Sequence, residues 1–244
     1  MANPNPSTID GSMTDSPPDS DTDTDPRDPA LDRGPAVDAR PGLVVGDDGH
    51  TRCAWGSGDP LYIAYHDGEW GRPLRDEHAL FGLLCLEFFQ SGLSWLTILR
   101  KRPAFFAAFD GFDPEVVAGY GPAEVARLMA DAGIVRNRAK VDAAIANAGA
   151  LVAMHDNGET LVDLLFSFAP APGADGRPAG RFGTPADMPS RTPSSTALSK
   201  ALKARGFRFV GPVVAYALMQ SAGVVDDHLD GCWVPPSVSG PSAG

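Results

Sequence analysis

The sequence predicts an all-α domain from about residue 52 to residue 236, because apolar residues recur there at helical spacing. No stretch shows sustained alternation of apolar and polar residues, which is the pattern of a half-buried strand. Helix-starting residues and prolines divide the region into seven or eight helices. We expect these helices at residues 79–89, 97–109, 114–120, 122–130, 139–155, 160–168, 195–205 and 212–222.

The helix boundaries rest on local signals. Asp76 is a plausible N-cap for the first helix, since an aspartate there accepts hydrogen bonds from the first free N–H groups. Pro114 and Pro122 suit the first turn of the third and fourth helices, where no N–H donor is needed. The remaining helices are indicated by the spacing of their apolar residues.

Two terminal segments are expected to lie outside the folded domain, and one loop is expected to interrupt it. Residues 1–48 contain 11 Asp and three Arg with few large apolar side chains, which predicts a disordered acidic tail of net charge -8. Residues 170–195 are rich in Pro and Gly and predict a flexible surface loop. Residues 237–244 are expected to be a disordered C-terminus. The rest of the chain carries a net charge of only -3, so the overall acidity does not exclude a nucleic-acid partner.

Composition narrows the class of protein. With 43% hydrophobic residues among 244, the chain can fill a core. No apolar run is long enough for a membrane span, and the N-terminus lacks the layout of a secretory signal. We therefore expect a cytoplasmic protein that does not contact membranes. Three widely spaced cysteines exclude a disulfide-stapled scaffold.

Four residues are candidate metal ligands. His228 and Cys232 are four apart, so a helix would place them on one face, and Cys53 with His66 would complete a Cys2His2 shell. Four protein ligands would make a zinc ion structural and would clip the two ends of the domain together. Spacing alone leaves open a second interpretation, in which these are unrelated buried thiols and surface imidazoles.

Glu87 lies in an otherwise apolar segment, where an unpaired carboxylate is costly to bury. Several aromatic residues with polar atoms occur near it in the sequence. Aromatic walls around one negative group describe a pocket for a flat cation. Composition alone favours the alternative that these residues pack in the core and the glutamate reaches solvent. The aromatic residues are Trp55, Tyr62, Tyr65, Trp70 and Trp95.

A third feature is a helical hairpin around Gly133. A helix stops there, and the next helix begins near Arg136, Arg138 and Lys140. A helix N-terminus flanked by cations suits a phosphate group, which would let this hairpin bind a DNA backbone. Basic residues at helix ends are otherwise usually solvated surface charges.

Uncommon motifs, in order along residues 52–232, closely resemble the DNA-3-methyladenine glycosylase I family. They are RCAW at 52–55, DPLYIAYHD at 59–67, EWG at 69–71, LE at 86–87 with GLSW at 92–95, DAGI at 131–134, ALSK at 197–200, RGFRFVG at 205–211, and MQ at 219–220 leading to DH at 227–228 and Cys232. Phe88 departs from the small residue usual in this family, which suggests a repacked pocket floor or helix contact.

The resemblance implies a helix-hairpin-helix DNA glycosylase fold with a structural zinc clip. It implies that Cys53, His66, His228 and Cys232 bind one zinc ion and that Glu87 contacts the methylated base. Tyr65 and Trp95 match residues of the base pocket, and Trp55 and Trp70 match neighbouring aromatics. Gly92 and Leu93 match the loop that approaches the gap left by the extruded nucleotide, and residues 133–140 match the phosphate-binding hairpin.

The expected activity is hydrolytic removal of 3-methyladenine from double-stranded DNA. A base methylated at N3 is already cationic, so it leaves without a strong general acid, after extrusion from the duplex. No lysine is evidently placed as a nucleophile, which predicts a monofunctional enzyme that leaves an abasic site. We expect a monomer, because an enzyme that acts on one flipped nucleotide needs no partner subunit. Two other functions stay open: an inactive protein that binds DNA lesions, and a zinc-stapled helical interaction module recruiting partners through its acidic tail.

Overall fold

A computed structural model describes residues 40–171 and 180–236, and this part of the chain is mostly helical, as predicted. The predicted tail up to residue 39, residues 172–179 of the predicted loop and the predicted C-terminal tail lie outside the described residues. Nine α-helices are present within the described ranges. They are α1 Pro60–Gly68, α2 Glu77–Gln90, α3 Trp95–Ala108, α4 Pro114–Ala118, α5 Pro122–Ala130, α6 Arg138–Asp156, α7 Leu161–Ser167, α8 Pro193–Ala204 and α9 Pro212–Ser221.

Side-chain caps explain where most of these helices begin. The Asp76 carboxylate accepts a hydrogen bond from the backbone N–H of Ala79 at 2.8 Å and so starts α2, which confirms the expected N-cap. Asp59, Ser94, Asp113, Asn137, Thr160 and Thr192 act in the same way for other helices. Helix α1, which the periodicity did not reveal, has Asp59 as its cap and Pro60 in its first turn.

A short β-hairpin precedes α1 and corrects the predicted tail. Strand β1, Leu43–Val45, pairs antiparallel with β2, Thr51–Cys53. The boundary of the tail at residue 48 is therefore wrong, because the Leu-Val-Val run buries Leu43 against the end of the chain. The prediction of an all-α domain did not include this hairpin.

Helix α2 is the central helix of the core. It contacts α3, α6, α7 and α9, and nine of its 14 residues are buried. A helix that is apolar on all sides needs neighbours on all sides. Glu87 is the one acidic residue among the nine, so this packing places its carboxylate deep in the domain.

The C-terminal segment after α9 returns to the start of the domain. The backbone N–H of Trp233 donates to the carbonyl of Thr51 at 2.8 Å, and Leu229 packs with Leu43 and Cys53.

The segment expected to be a loop also contributes ordered contacts. Arg181 donates from Nη2 to Asp226 Oδ2 at 3.1 Å, so the part of 170–195 near residue 181 is fixed by an ion pair that its composition conceals. Among the described helices, none has the length and apolarity to cross a bilayer.

The packing of the β-hairpin predicts that truncating Leu43 lowers the stability of the domain. Leu43 is 2% exposed, so Leu43→Ala should lower the free energy of unfolding by about 2 to 5 kcal/mol. Val45→Ala, on the same strand but only partly buried, is the matched control and should cost less. Urea denaturation of both variants measures the difference. Equal small losses would contradict a packed hairpin.

Candidate functional site

An open pocket of about 230 Å³ lies beside the C-terminal half of α2. Its walls come from the segment after β2, from the helices α1, α2 and α9, and from the start of α3. All five predicted base-pocket and catalytic residues line it, together with five others. The lining residues are Trp55, Tyr65, Trp70, Glu87, Gln90, Trp95, Met188, Ala217, Gln220 and Ser221.

Glu87 is the acidic group of this pocket. Its side chain is 5% exposed, and Oε1 accepts a hydrogen bond from the Ser221 hydroxyl at 2.6 Å. Burial raises the pKa of Glu87 to about 7, although the Ser221 hydrogen bond favours the ionised form. The carboxylate therefore borders a cavity and does not reach bulk solvent, so a cation entering the pocket would stabilise its charge.

Aromatic rings form the walls around this carboxylate. The Trp55 and Trp70 rings meet edge to face with centroids 4.7 Å apart, and the Tyr65 and Trp95 rings are tilted at 5.5 Å. The Tyr65 hydroxyl and the Trp95 Nε1 are buried without a hydrogen-bond partner among the described residues. Burial and then the nearby Glu87 raise the pKa of Tyr65, so its phenol stays protonated. Two hydrogen-bond donors are thus free at the pocket wall.

Phe88, the departure noted in the sequence, does not line the pocket. Its side chain is fully buried and stacks on Phe89 with ring centroids 5.1 Å apart. The adjacent residue on a helix points about 100° away, so Glu87 can face the cavity while Phe88 faces the core. Phe88 therefore packs in the core and is not part of the pocket wall.

A buried Cys and His cluster lies next to the pocket. One potential ligand atom from each of Cys53, His66 and Cys232 lies within 4.8 Å of the others. Cys232 Sγ is 3.6 Å from His66 Nε2. The hydrogen bond between the sulfurs raises the pKa of Cys53 and lowers that of Cys232, so the cluster favours one thiolate. Three of the four predicted metal ligands are therefore together.

His228 lies beside this cluster without joining it. Its ring centroid is 4.8 Å from that of His66, and its Nε2 is 3.3 Å from the His66 carbonyl oxygen. The two imidazoles share one arrangement. His66 Nδ1 bonds Asp67 and His228 Nδ1 bonds Asp226, each at 2.7 Å. A carboxylate at Nδ1 directs Nε2 to the metal, which is how metal-binding histidines are commonly oriented. The His228 Nε2 faces a carbonyl oxygen, which only accepts a hydrogen bond, so this ring would have to turn slightly to bind an ion.

Partly buried ion pairs hold both carboxylates. Arg52 donates from Nη2 to Asp67 Oδ2 at 2.8 Å, and Arg181 pairs with Asp226. Burial alone would raise the pKa of Asp67, but the hydrogen bonds from Arg52 and His66 lower it below its usual value. The donor set of two sulfurs and two imidazoles, oriented by charged carboxylates, has the chemistry of a structural zinc site.

The turn between α2 and α3 carries Gly92 and Leu93. Gly92 has φ +86°, a conformation that favours glycine, and Leu93 is 39% exposed. The Gln90 side chain donates to the Leu93 carbonyl at 3.1 Å. The turn thus presents an apolar side chain next to a residue of the pocket wall.

The position of Lys140 shows that the prediction of phosphate binding is wrong for this residue. It is 7% exposed, and its ammonium donates to the carbonyls of Phe89 at 2.9 Å and Ser91 at 3.0 Å. A cation at a helix C-terminus stabilises the free carbonyls there. Lys140 therefore holds the end of α2 and the start of the Leu93 turn, and its charge does not face solvent.

The other members of the predicted phosphate-binding hairpin are placed differently. Arg136 is exposed, and Arg138 is exposed but paired with Asp142 at 2.8 Å. The Gly133 N–H donates to Asp131 within the turn at 2.7 Å. The hairpin formed by α5 and α6 therefore presents two arginines outward.

The sequence did not predict the other five lining residues, which are Gln90, Met188, Ala217, Gln220 and Ser221. Ser221 and Gln220 end α9, and Met188 comes from the segment expected to be a loop. The polar pair at the end of an apolar helix is a signal that could have been noticed. Gln220 also donates to Asp227 Oδ2 at 2.8 Å and so connects the pocket to the residue before His228.

Comparisons with known proteins agree with this geometry. A family model described as methyladenine glycosylase matches residues 55–235. DNA-3-methyladenine glycosylase 1 of Escherichia coli (strain K12) is 48% identical over 186 residues, which cover 76% of this chain and 97% of that protein. A crystal structure of 3-methyladenine DNA glycosylase I shares 47% identity with a TM-score of 0.71, covering 76% of this chain and 100% of that one. A tyrosine-to-phenylalanine variant of 3-methyladenine DNA glycosylase I in complex with 3-methyladenine shares 37% identity with a TM-score of 0.70, covering 77% and 99%.

The raised pKa of Glu87 predicts how stability depends on pH. The folded state binds a proton more tightly than the unfolded chain, so the wild type should lose stability as pH rises from about 4.5 to about 7. Glu87→Gln should remove roughly 3 kcal/mol of this loss. Denaturation of both proteins at pH 5 and pH 8 measures it. If their stabilities change in parallel, the carboxylate is not desolvated.

Proposed function

The chain belongs to the methyladenine glycosylase family, and from that premise we propose that it excises 3-methyladenine from alkylated double-stranded DNA. The observation that carries the proposal is a buried carboxylate, Glu87, facing an aromatic-walled pocket. A purine methylated at N3 is a flat cation while it is attached to the sugar. Anion and rings together would favour this base over neutral adenine.

Each pocket residue has a role in this proposal. Glu87 hydrogen-bonds the edge of the extruded base and balances its charge. Trp95 and Tyr65 contact the base faces, and the Tyr65 hydroxyl and Trp95 N–H are donors for it. Trp55 and Trp70 complete the wall between the base and the Cys and His cluster.

The bond changes follow from the charge of the substrate. The bond between C1′ of the sugar and N9 breaks, and its electron pair passes to the base, which leaves as a neutral molecule. The positive charge moves to the sugar, where the negative charge of Glu87 stabilises it, and water adds to C1′ and releases its proton to solvent. The pocket lining contains no lysine among the described residues, which supports a monofunctional reaction that leaves an abasic site.

DNA binding would use the surface next to the pocket mouth. We place Leu93, on the turn shaped by Gly92, at the gap left by the extruded nucleotide, where an apolar wedge can stack. Arg136 and Arg138, after Gly133, are candidates for phosphate contacts in the manner of a helix-hairpin-helix motif. One pocket handles one nucleotide, so a monomer suffices.

We also propose that Cys53, His66, His228 and Cys232 hold one zinc ion. Support comes from the buried sulfurs, from the two imidazoles whose Nδ1 atoms bond carboxylates, and from the adjacency of His228. When bound, the ion would clip the start of the domain to its end and take no part in hydrolysis, because four protein ligands leave no open position.

The activity test is release of free base from defined duplex DNA containing 3-methyladenine. The wild type should release it, with kcat/KM rising with pH to a plateau above about 7 as Glu87 ionises. Glu87→Gln should slow release by roughly 100-fold or more and abolish this pH dependence. Glu115→Gln, on the exposed face of α4, is the matched control and should behave as wild type.

Other outcomes separate the alternative functions. Tight binding of the lesion by the wild type without base release would favour an inactive lesion-binding protein. Absence of salt-dependent DNA binding would favour an interaction module. If Glu87→Gln keeps full activity per folded molecule, the carboxylate is structural.

The zinc proposal has its own measurement. Elemental analysis of protein purified without chelator should find about one zinc per chain, and Cys232→Ser should lose it because an incomplete shell binds weakly. Cys85→Ser is the control, since this buried cysteine lies in the apolar core away from the cluster and the variant should retain the metal. Wild-type protein without zinc would refute the proposal.

A further inference from the structure

Gln220 is a pocket residue to which nothing proposed above gives a role. It lies in the last turn of α9, and its partly buried side chain lines the pocket. The adjacent Ser221 bonds the Glu87 carboxylate at 2.6 Å, which places Gln220 on the wall next to that group. A glutamine amide carries a donor NH2 group and an acceptor oxygen. The end that faces the pocket therefore decides which edge of a base Gln220 can bind.

The buried carboxylate of Asp227 selects the orientation of this amide. Asp227 Oδ2 accepts hydrogen bonds from Gln220 Nε2 at 2.8 Å and from the Tyr216 hydroxyl at 2.5 Å. Tyr216 and Gln220 are four residues apart on α9, so one face of the helix bonds the same oxygen twice. A carboxylate oxygen is an acceptor, so the NH2 end of the Gln220 amide must face Asp227. Asp227 is only 1% exposed, and this packing keeps its carboxylate in place.

The second hydrogen of the Gln220 amide also has an acceptor. Nε2 lies 3.4 Å from the sulfur of Met188, a weak acceptor that belongs to the pocket wall. Because both N–H groups are turned to protein atoms, Oε1 is the free end of the amide, and no donor in the described part of the chain bonds it. The pocket therefore contains a fixed acceptor beside the Glu87 carboxylate.

Adenine and guanine have opposite hydrogen-bonding character at position 6 of the purine. The 6-amino group of 3-methyladenine has two N–H donors, whereas the 6-oxo group of 3-methylguanine only accepts. Glu87 cannot separate the two bases by itself, because a carboxyl group with a pKa of about 7 accepts when ionised and donates when protonated. The Gln220 oxygen only accepts, since the amide is held in one orientation. A base carbonyl facing it would leave two acceptors opposed.

We propose that Gln220 determines specificity for a 6-amino purine, because its Oε1 accepts a hydrogen bond from the 6-amino group of the extruded base and disfavours a 6-oxo group. Asp227 is the positioning residue that keeps this oxygen directed into the pocket. The inference rests on the proposed function and narrows its substrate class to 3-methylated purines that carry an amino group at position 6.

The experiment measures release of 3-methyladenine and 3-methylguanine from a single sample of methylated duplex DNA that contains both bases. The ratio of the two release rates equals the ratio of their kcat/KM values and does not depend on the amount of folded enzyme. The wild type should favour 3-methyladenine. Gln220→Met removes the acceptor at nearly constant length, so it should lower the ratio about tenfold, mainly by slowing release of 3-methyladenine.

A second variant and a matched control test the role of Asp227. Asp227→Ala should also lower the ratio, by a smaller factor, because the released Gln220 amide can present either end to the base. Tyr216→Phe removes the other hydrogen bond to Asp227 Oδ2 and leaves Gln220 bound, so its ratio should stay within twofold of wild type. Equal losses for both bases in Gln220→Met, or an unchanged ratio, would overturn the inference.

Binding of free bases separates this inference from the proposed function. The probes are 3-methyladenine and 3-methylhypoxanthine, which differ chiefly in the amino or oxo group at position 6. The wild type should bind 3-methyladenine more tightly, and Gln220→Met should reduce this preference about tenfold. A wild type that shows the preference but releases no base from DNA would refute the proposed function and leave the role of Gln220 standing. Equal binding of both probes by an active wild type would overturn the role of Gln220 alone.

Discussion

The burial of one carboxylate is the constraint on which the rest of the structure depends. Glu87 lies on a helix whose other buried residues are apolar or glycine, and a single serine hydroxyl bonds it. Such a group is costly in the free protein, and its proton affinity rises in consequence. The free energy spent in burying this carboxylate favours ligand binding if the ligand carries a positive charge. The same low-polarity surroundings then strengthen the attraction between the carboxylate and the ligand cation. The free donors on Tyr65 and Trp95 fit this account, since they too lack partners until something occupies the pocket.

The pocket and the Cys and His cluster are built from the same short segments. Trp55 follows Cys53 by two residues, His66 follows Tyr65, and Gln220 bonds the residue before His228. A clip that joins the start of the domain to its end would therefore also fix the walls around Glu87. The ion pairs of Arg52 and Arg181 would also help to fix these walls, because they hold the carboxylates that orient both imidazoles. The residues of the Cys and His cluster are thus linked directly to the residues that form the pocket around Glu87.

The sequence predicted the helical class from local signals, whereas the pocket roles of Glu87 and the aromatic residues came from the family resemblance, because composition alone favoured core packing. A lone carboxylate in an apolar run and a capping aspartate before a helix can be recognised without a fold. Lys140 was misassigned because charge near a helix start resembles a phosphate site, and only tertiary packing shows that its ammonium reaches two carbonyls of another helix. Strand β1 was hidden by the acidic residues around it. Ser221 could not be linked to Glu87, since the two are 134 residues apart and meet only through the packing of α2 and α9.

The central claim is that the Glu87 carboxylate forms an ion pair with the positively charged methylated base. Carbon-13 NMR of the glutamate carboxyl groups, assigned with the Glu87→Gln variant, measures its titration directly. The free protein should titrate near 7, and binding a duplex with a 2′-fluorinated, cleavage-resistant 3-methyladenine nucleotide should lower that pKa by about two units or more. An unchanged pKa in the complex would contradict the account, because the cation and the carboxylate would then not interact.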